Sequence, residues 1–243
     1  MRVCQFRHFG TKERGRTAFA RPAALLSLAN EAQGVNFRRY QLYPDPMNPA
    51  ESAQGRTITT LATREIYSNR WLRLREDQIL RSNGQKGIYG VVEKHPCAII
   101  LPIDNGRVWL VEQFRYTIQQ RAIELPQGGW ETEIDHPEEL ARGELKEELG
   151  LDAAQMIYLG RLWIAYGYAR QEQHVFLATG LTHSGKDPDD EEHDLTHRSV
   201  PIEEFEEMMR TGVIGDGCTL AAWGLYQLWK SAWPADSPTS QLR

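Results

Sequence analysis

Glu144, Glu147 and Glu148 fall at i, i+3 and i+4, a spacing that brings three carboxylates onto one face of a helix. They belong to a segment that runs Asp-His-Pro-Glu-Glu-Leu-Ala-Arg-Gly-Glu-Leu-Lys-Glu-Glu-Leu-Gly-Leu from Asp135 to Leu151. A helix is expected to start at Asp135, whose side chain caps the first backbone N–H groups, with Glu138 three residues on completing a capping box. It should stop at Gly150. The three acids then stand near the negative end of the macrodipole, where mutual repulsion and dipole act in the same unfavourable direction. Each adverse term is only about 0.3–1 kcal/mol on an exposed helix, so a solvated acidic face absorbs it. A hard divalent cation turns the same cluster into a binding site. Taken alone, the helix is compatible with both readings.

The flanking residues separate them. Gly128-Gly129 precedes the helix and Gly150-Leu151 follows it, which holds the glutamates at fixed distances from two tight turns. On these residues the segment resembles the Nudix box of diphosphate hydrolases, G-x5-E-x7-R-E-U-x-E-E-x-G-U with U aliphatic. Counted from Gly129, its glutamates at 144, 147 and 148, its aliphatic positions 145 and 151 and its Gly150 are all met. Two positions depart. Asp135 stands where the family usually has Glu, which keeps the charge and improves the cap. Gly143 stands where the family usually has Arg, which removes a cation that would orient the glutamates and costs about 1 kcal/mol of helix propensity. Arg142 leaves the helix about 100° away, so Arg115 or Arg121, reaching in from a strand, are the other sources of positive charge.

Hydrolysing a diphosphate means bringing water to a phosphorus whose oxygens are already negative. Carboxylate-bound Mg²⁺ clamps such oxygens and lowers the pKa of bound water, and Mn²⁺ is a possible substitute. Zinc would favour His and Cys, and His183, His193 and His197 lie in a polar stretch with no matching Cys pair.

Around this helix, the chain of 243 residues is long enough to bury a full core, and 41% hydrophobic with 25% charged residues is a globular balance. A formal charge of −5 gives no reason to expect nucleic acid or a membrane surface as partner, and no apolar run approaches the roughly 18 residues of a spanning helix. Cys4, Cys97 and Cys218 are too few and too scattered for a disulfide framework, so a reducing cytoplasm is the expected compartment. Residues 1–55 differ from the rest. Arg2, Arg7, Lys12, Arg14, Arg16 and Arg21 face only Glu13 and Glu31 up to Phe37, and Tyr43-Pro44-Asp45-Pro46-Met47-Asn48-Pro49 excludes a regular element. This extension is expected to be poorly ordered and dispensable, either a basic arm or sequence ahead of a later start such as Met47. Residues 56–232 form the expected domain and 233–243 a flexible tail.

Strand patterns begin near Ile58. Ile66 to Ile79 alternates apolar and charged residues, and Ser82-Asn83-Gly84 then turns into Ile88 to Val92 as a hairpin would. Cys97 to Ile103 and Val108 to Gln113, joined across Asp104-Asn105-Gly106, are the expected core strands. Ile157 to Ala165 and His174 to Ala178 follow the box helix, then a polar loop from Thr182 to Asp194. Two helices close the pattern, Pro201 to Arg210 and Thr219 to Trp229, the second with an apolar face of Leu220, Trp223 and Leu228. The expected class is α+β. The resemblance makes it an α/β/α sandwich with a mixed sheet and an N-terminal antiparallel hairpin.

The resemblance extends over most of residues 58–230. Gln113-Phe114-Arg115-Tyr116 and Glu124-Leu125-Pro126-Gln127-Gly128-Gly129 look like the Gln-Tyr-Arg and Glu-Leu-Pro-Ala-Gly-Gly signatures of ADP-ribose pyrophosphatases, and Phe205 to Leu220 looks like their last helices. It implies hydrolysis of a nucleoside diphosphate-sugar, ADP-ribose first, to AMP and ribose 5-phosphate. Glu144, Glu147 and Glu148 would be metal ligands. Trp71 and Tyr89 would stack the base, as part of a homodimer, or else simply pack. Arg115, Arg121 and Glu124, with Gly128 and Gly129, would hold phosphates and sugar, surface ion pairs being the alternative for the charged three. Glu191 and Glu192 would supply the base for the attacking water from a closing loop, unless they are a solvated acidic run. Tyr166 stands where ADP-ribose enzymes usually have Pro, which keeps dinucleoside polyphosphates and other sugar nucleotides such as GDP-mannose open. Gly143 keeps open a nucleotide-sugar-binding sensor that does not cut.

Overall fold

Strand β4, Cys97–Asp104, is buried along its whole length except at Asp104, as expected of a strand covered on both faces. Its side chains alternate between two separate cores. Ile99, Leu101 and Ile103 enter one with Val108, Leu110, Val175 and Leu177, whereas Ala98 and Ile100 enter the other with Val111, Phe176 and Ala178. The two-residue period of a strand therefore creates the layers. The computed structural model describes residues 57–129, 136–184 and 194–232. The expected basic extension and the tail after residue 232 lie outside the described residues.

Before β4 come β1 (Ile58–Ser68), β2 (Arg73–Arg81) and β3 (Lys86–Glu93). After it come β5 (Arg107–Arg115), β6 (Gln120–Glu124), the short β7 (Gln127–Gly128), helix α1 (Pro137–Leu149), β8 (Leu151–Trp163), β9 (Ala169–Arg170), β10 (Glu172–His183), β11 (Thr196–Pro201), α2 (Ile202–Arg210) and α3 (Gly217–Ser231). The central sheet runs β11-β5-β4-β10-β8, with β6 on β5 and β7 on β4. It is mixed: β10 is parallel to β4, and the other pairs are antiparallel. Leu140, Ala141, Leu145 and Leu149 of α1 cover one face. Phe205 and Met208 of α2, with Ala222, Trp223 and Tyr226 of α3, cover the other. The α/β/α sandwich and the α+β class are as expected. A smaller sheet, β1-β2-β3-β9, carries the N-terminal hairpin.

The tight turns form where Asn-Gly pairs predict them. Gly84 (φ 82°) joins β2 to β3, and Asn105 (φ 50°) with Gly106 (φ 71°) joins β4 to β5, left-handed conformations that these residues tolerate. Three local expectations are corrected. Ile66 to Ile79 is not one strand, because Asn69 Oδ1 accepts from the backbone N–H groups of Trp71 and Leu72 (2.8 and 3.0 Å) and turns the chain between β1 and β2. The buried face of α3 is Thr219, Ala222, Trp223 and Tyr226, while Leu220 and Leu228 are 42% and 67% exposed. Helix α1 has His136 at its N-cap and Pro137 at its first position, and His136 makes no side-chain capping bond. Glu138 therefore sits one residue short of the capping-box position and pairs instead with Arg142 at 2.9 Å. Asp135 lies outside the described residues. The C-terminal end follows expectation: Gly150 adopts φ 64° and its N–H reaches the carbonyls of Leu145 and Lys146.

Candidate active site

Leu140, Leu145 and Leu149 fix the rotation of α1, each fully buried side chain stabilising the docked helix by about 1.5–3 kcal/mol. With those residues inward, the glutamates face the edge of the core beside β7. Glu144 and Glu148 are 9% and 3% exposed, and Glu147 is half-buried. Strand β7 is held by antiparallel pairing of Gln127 and Gly128 with Ile99 and Ala98. The Glu144 carboxylate lies directly over Gly128, where a Cβ would come within 2.6 Å of its carboxyl atoms. Glu148 Oε2 accepts the Gln127 backbone N–H at 3.1 Å. Two tight contacts thus seat two acids against a backbone that has no side chain in the way.

Beside this seam runs a partly buried polar network. Gln127 Nε2 donates to Glu124 Oε2 (2.9 Å) and Asp216 Oδ2 (3.3 Å), and Gln173 Nε2 donates to Gln127 Oε1 (2.9 Å). Asp216 caps α3 by accepting from the backbone N–H of Thr219 at 2.8 Å, and the Thr219 hydroxyl donates to it at 2.7 Å. The Leu125 N–H in turn donates to that hydroxyl at 3.0 Å. Glu124, 2% exposed, pairs with the guanidinium of Arg115 at 2.6 Å. Burial raises the Glu124 pKa above the usual carboxylate range, with nearby Asp216 adding to the rise, against the lowering influence of Arg115.

The expected substrate residues are dispersed. Glu124 faces inward, so its carboxylate is committed to Arg115 and Gln127 rather than presented to a ribose. Arg121 bonds Glu112 Oε1 (2.7 Å) and the carbonyls of Glu112 and Asp194 (both 3.0 Å), which clamps the approach to β11. Trp71 is half-buried with the Arg70 guanidinium 4.3 Å from its ring centroid. Tyr89 is 41% exposed and donates to the Gly167 carbonyl at 3.0 Å. Tyr89 lies opposite Asp77 on β2, six residues along the chain from Trp71. Strand β2 begins at Arg73, just past Trp71, so at about 3.3 Å per strand residue Tyr89 stands about 13 Å along the sheet from that start. Gly128 lies against the Glu144 carboxylate, and Gly129 follows it as a buried residue. Glu191 and Glu192 lie outside the described residues. Arg142 does turn away from the cluster, bonding Glu138 and the Ala153 carbonyl (2.8 Å).

The donor set fits a hard cation in part. Among the described residues no three of His, Cys, Asp and Glu already converge as a complete metal-binding group. Mg²⁺ needs no such cage, because it keeps several waters and takes substrate oxygens beside one or two carboxylates. Glu144 and Glu148 meet that smaller demand. Residue types and spacing do not single out Gln127 or Gln173; for Asp216, the Asp-x-x-Thr pattern signals a helix cap and nothing more.

Known proteins are similar to this chain in sequence and in fold. Residues 93–220 match the family model of the NUDIX domain, and residues 58–92 match that of the nucleoside diphosphate sugar hydrolase N-terminal domain. The ADP-ribose pyrophosphatase of Mycobacterium tuberculosis (strain ATCC 25618 / H37Rv) is 32% identical over 164 residues, 67% of this chain and 79% of that protein. The ADP-ribose pyrophosphatase of Bacillus subtilis (strain 168) is 31% identical, and the methanol dehydrogenase activator of Bacillus methanolicus 33%, each over 125 residues, 51% of this chain and 66% of the relative. A crystal structure described as an ADP compounds hydrolase superposes with a TM-score of 0.64 over 73% of this chain and 96% of its own. At 20% identity that match speaks for the fold alone.

Proposed function

Because the chain belongs to the Nudix hydrolase family, in its ADP-ribose pyrophosphatase-like branch, we propose that it is a metal-dependent hydrolase of nucleoside diphosphate-sugars with ADP-ribose as its first substrate. The observation that carries this reading is the seating of Glu144 over Gly128 and of Glu148 on the Gln127 N–H, both carboxylates being buried. A buried carboxylate is costly unless donors or a cation stabilise its charge. Glu144 and Glu148, joined by Glu147, would hold Mg²⁺ or Mn²⁺. The bound ion supplies charge neutralisation at the phosphate oxygens and a more acidic water.

The rest of the reaction falls to the chain. Water attacks one phosphorus, the bridging P–O bond breaks, and ADP-ribose yields AMP and ribose 5-phosphate. Glu191 or Glu192 takes the proton of the attacking water. Arg115, with Glu124 holding its guanidinium from inside, presents its outer face to a phosphate. Arg121 contributes at the edge, Gly128 and Gly129 let the diphosphate approach the backbone, and Trp71 and Tyr89 stack the base.

The separation of Trp71 from Tyr89 supports a base site shared between two protomers. So does β1, whose eleven residues are all exposed, Ile58, Leu61, Ile66 and Tyr67 among them by 41–55%. A sheet edge of this length is normally covered, and the proposed cover is a second copy of the chain. Light scattering at micromolar concentration should give the dimer mass; a monomer would remove the shared base site. Three cysteines in 243 residues, too few for a disulfide framework, favour a reducing cytoplasm. Among the described residues no helix is long and apolar enough to cross a membrane.

The experiment is phosphate release, coupled to a phosphatase, from ADP-ribose, GDP-mannose and a dinucleoside polyphosphate, with Mg²⁺ and with EDTA. Turnover highest on ADP-ribose and abolished by chelation is the expected result. A preference for the dinucleoside polyphosphate would give Tyr166 the greater weight. Ligand binding without turnover on any compound would make Gly143 a disabling change and the protein a sensor.

A further inference from the structure

Gln127 is bound by every polar atom of its side chain, and its backbone N–H holds Glu148. The amide spans three elements, Glu124 at the end of β6, Asp216 at the cap of α3 and Gln173 on β10. Strand β7 has only two residues of its own. Pro126 before it has no N–H to give, and Gly128 after it has no side chain to anchor. The Pro126 carbonyl, in the same peptide plane as the Gln127 N–H, accepts from the Ile100 N–H at 3.0 Å. The Gln127 side chain adds a second anchor to that backbone bond. Gln173 is 1% exposed and Glu124 is 2% exposed, so two of the amide's three partners are fully buried.

We propose that Gln127 is a positioning residue for Glu148: its amide, locked between Glu124, Asp216 and Gln173, aims the backbone N–H that sets the Glu148 carboxylate and so tunes its affinity for a divalent cation. This rests on the reading of Glu148 as a metal ligand. A ligating carboxylate is ordinarily oriented by such an outer hydrogen bond, and loss of one costs about 10- to 100-fold in metal affinity. A consequence is that the N-terminal cap of α3, far along the chain, bears on the metal seat through one side chain.

The test is direct binding of Mn²⁺, read from the paramagnetic resonance of the free ion, to the full chain and to Gln127→Met, Gln173→Leu and Glu148→Gln. Gln127→Met preserves volume and the backbone N–H while removing the amide. It should weaken Mn²⁺ binding about 3- to 10-fold, less than outright loss of the outer hydrogen bond, because the backbone N–H itself remains. Gln173→Leu, which removes one donor to the amide from a distance, should shift binding in the same direction by less, and stands in if Gln127→Met does not fold. Unchanged Mn²⁺ affinity in the folded variants, even with a lower melting temperature, would overturn the proposal and leave Gln127 a packing residue. Unchanged affinity in Glu148→Gln would instead overturn the assignment of Glu148 as a ligand, a failure distinct from the first.

Discussion

Glu148→Gln is expected to lower kcat on the preferred nucleoside diphosphate-sugar by about 100- to 1,000-fold, the scale of losing one preorganised electrostatic contact to the reacting phosphate. The substitution is isosteric. Its amide oxygen still accepts the Gln127 N–H that now meets Glu148 Oε2 at 3.1 Å, so the hydrogen bond and the packing of α1 survive. What disappears is the carboxylate of a residue only 3% exposed. The side chain keeps its volume and its bond to the Gln127 N–H, so the fold should persist, with a change in melting temperature of no more than about 5 °C. The diagnostic result is therefore a split: activity falls by orders of magnitude while stability does not. Steady-state kinetics at saturating Mg²⁺ alongside thermal unfolding measure both. Activity within tenfold of the parent would place the metal elsewhere.

Gly128→Ala probes the other seat. Gly128 has no left-handed backbone requirement, so the outcome depends on space alone. A Cβ there would come within 2.6 Å of the Glu144 carboxyl atoms, a distance that non-bonded carbon does not tolerate. Two responses compete. If β7 moved, its pairing with Ala98 and Ile99 would be lost along with the network beside it. If Glu144 moved, only the end of a flexible side chain would be displaced. The second costs less, about 1–3 kcal/mol as an overpacking strain, and is the one expected. The fold then persists with the Glu144 carboxylate out of register, and the Mg²⁺ concentration needed for half-maximal activity should rise more than about tenfold. Gly90→Ala is the matched control, since nothing lies within 4 Å of its added Cβ. A Gly128→Ala enzyme with unchanged metal dependence would show that Glu144 is not a ligand.

Local signals in the sequence were reliable where one element decides its own structure. The helix stop at Gly150, the Asn-Gly turns at 83–84 and 105–106 and the buried strands around 97–103 and 108–113 all form as the residue types require. The i, i+3, i+4 spacing of Glu144, Glu147 and Glu148 likewise needs only helix geometry. Errors arose where two local signals competed. Asn69 offers the backbone an Asx turn that overrides the alternation from Ile66 to Ile79. His136-Pro137 begins α1 one residue after the stronger capping side chain of Asp135, because Pro suits the first helical turn and its fixed φ is preset there.

By itself, then, the sequence determined the class of fold, the helix that carries the acids and the chemistry those acids suit, since each follows from neighbours within a few residues. Only the tertiary structure decided which groups meet. Gln127 reaches Gln173 across 46 residues and Asp216 across 89, separations at which spacing carries no geometric information. It turned Glu124 inward onto Arg115, parted Trp71 from Tyr89, and rotated α3 so that Thr219 and Tyr226, not Leu220 and Leu228, are buried. The reason is common to all of these. Helical and strand periods specify which residues share a face, whereas the face that turns inward is chosen by the packing of the whole sandwich, where the polar groups it buries must also find their partners.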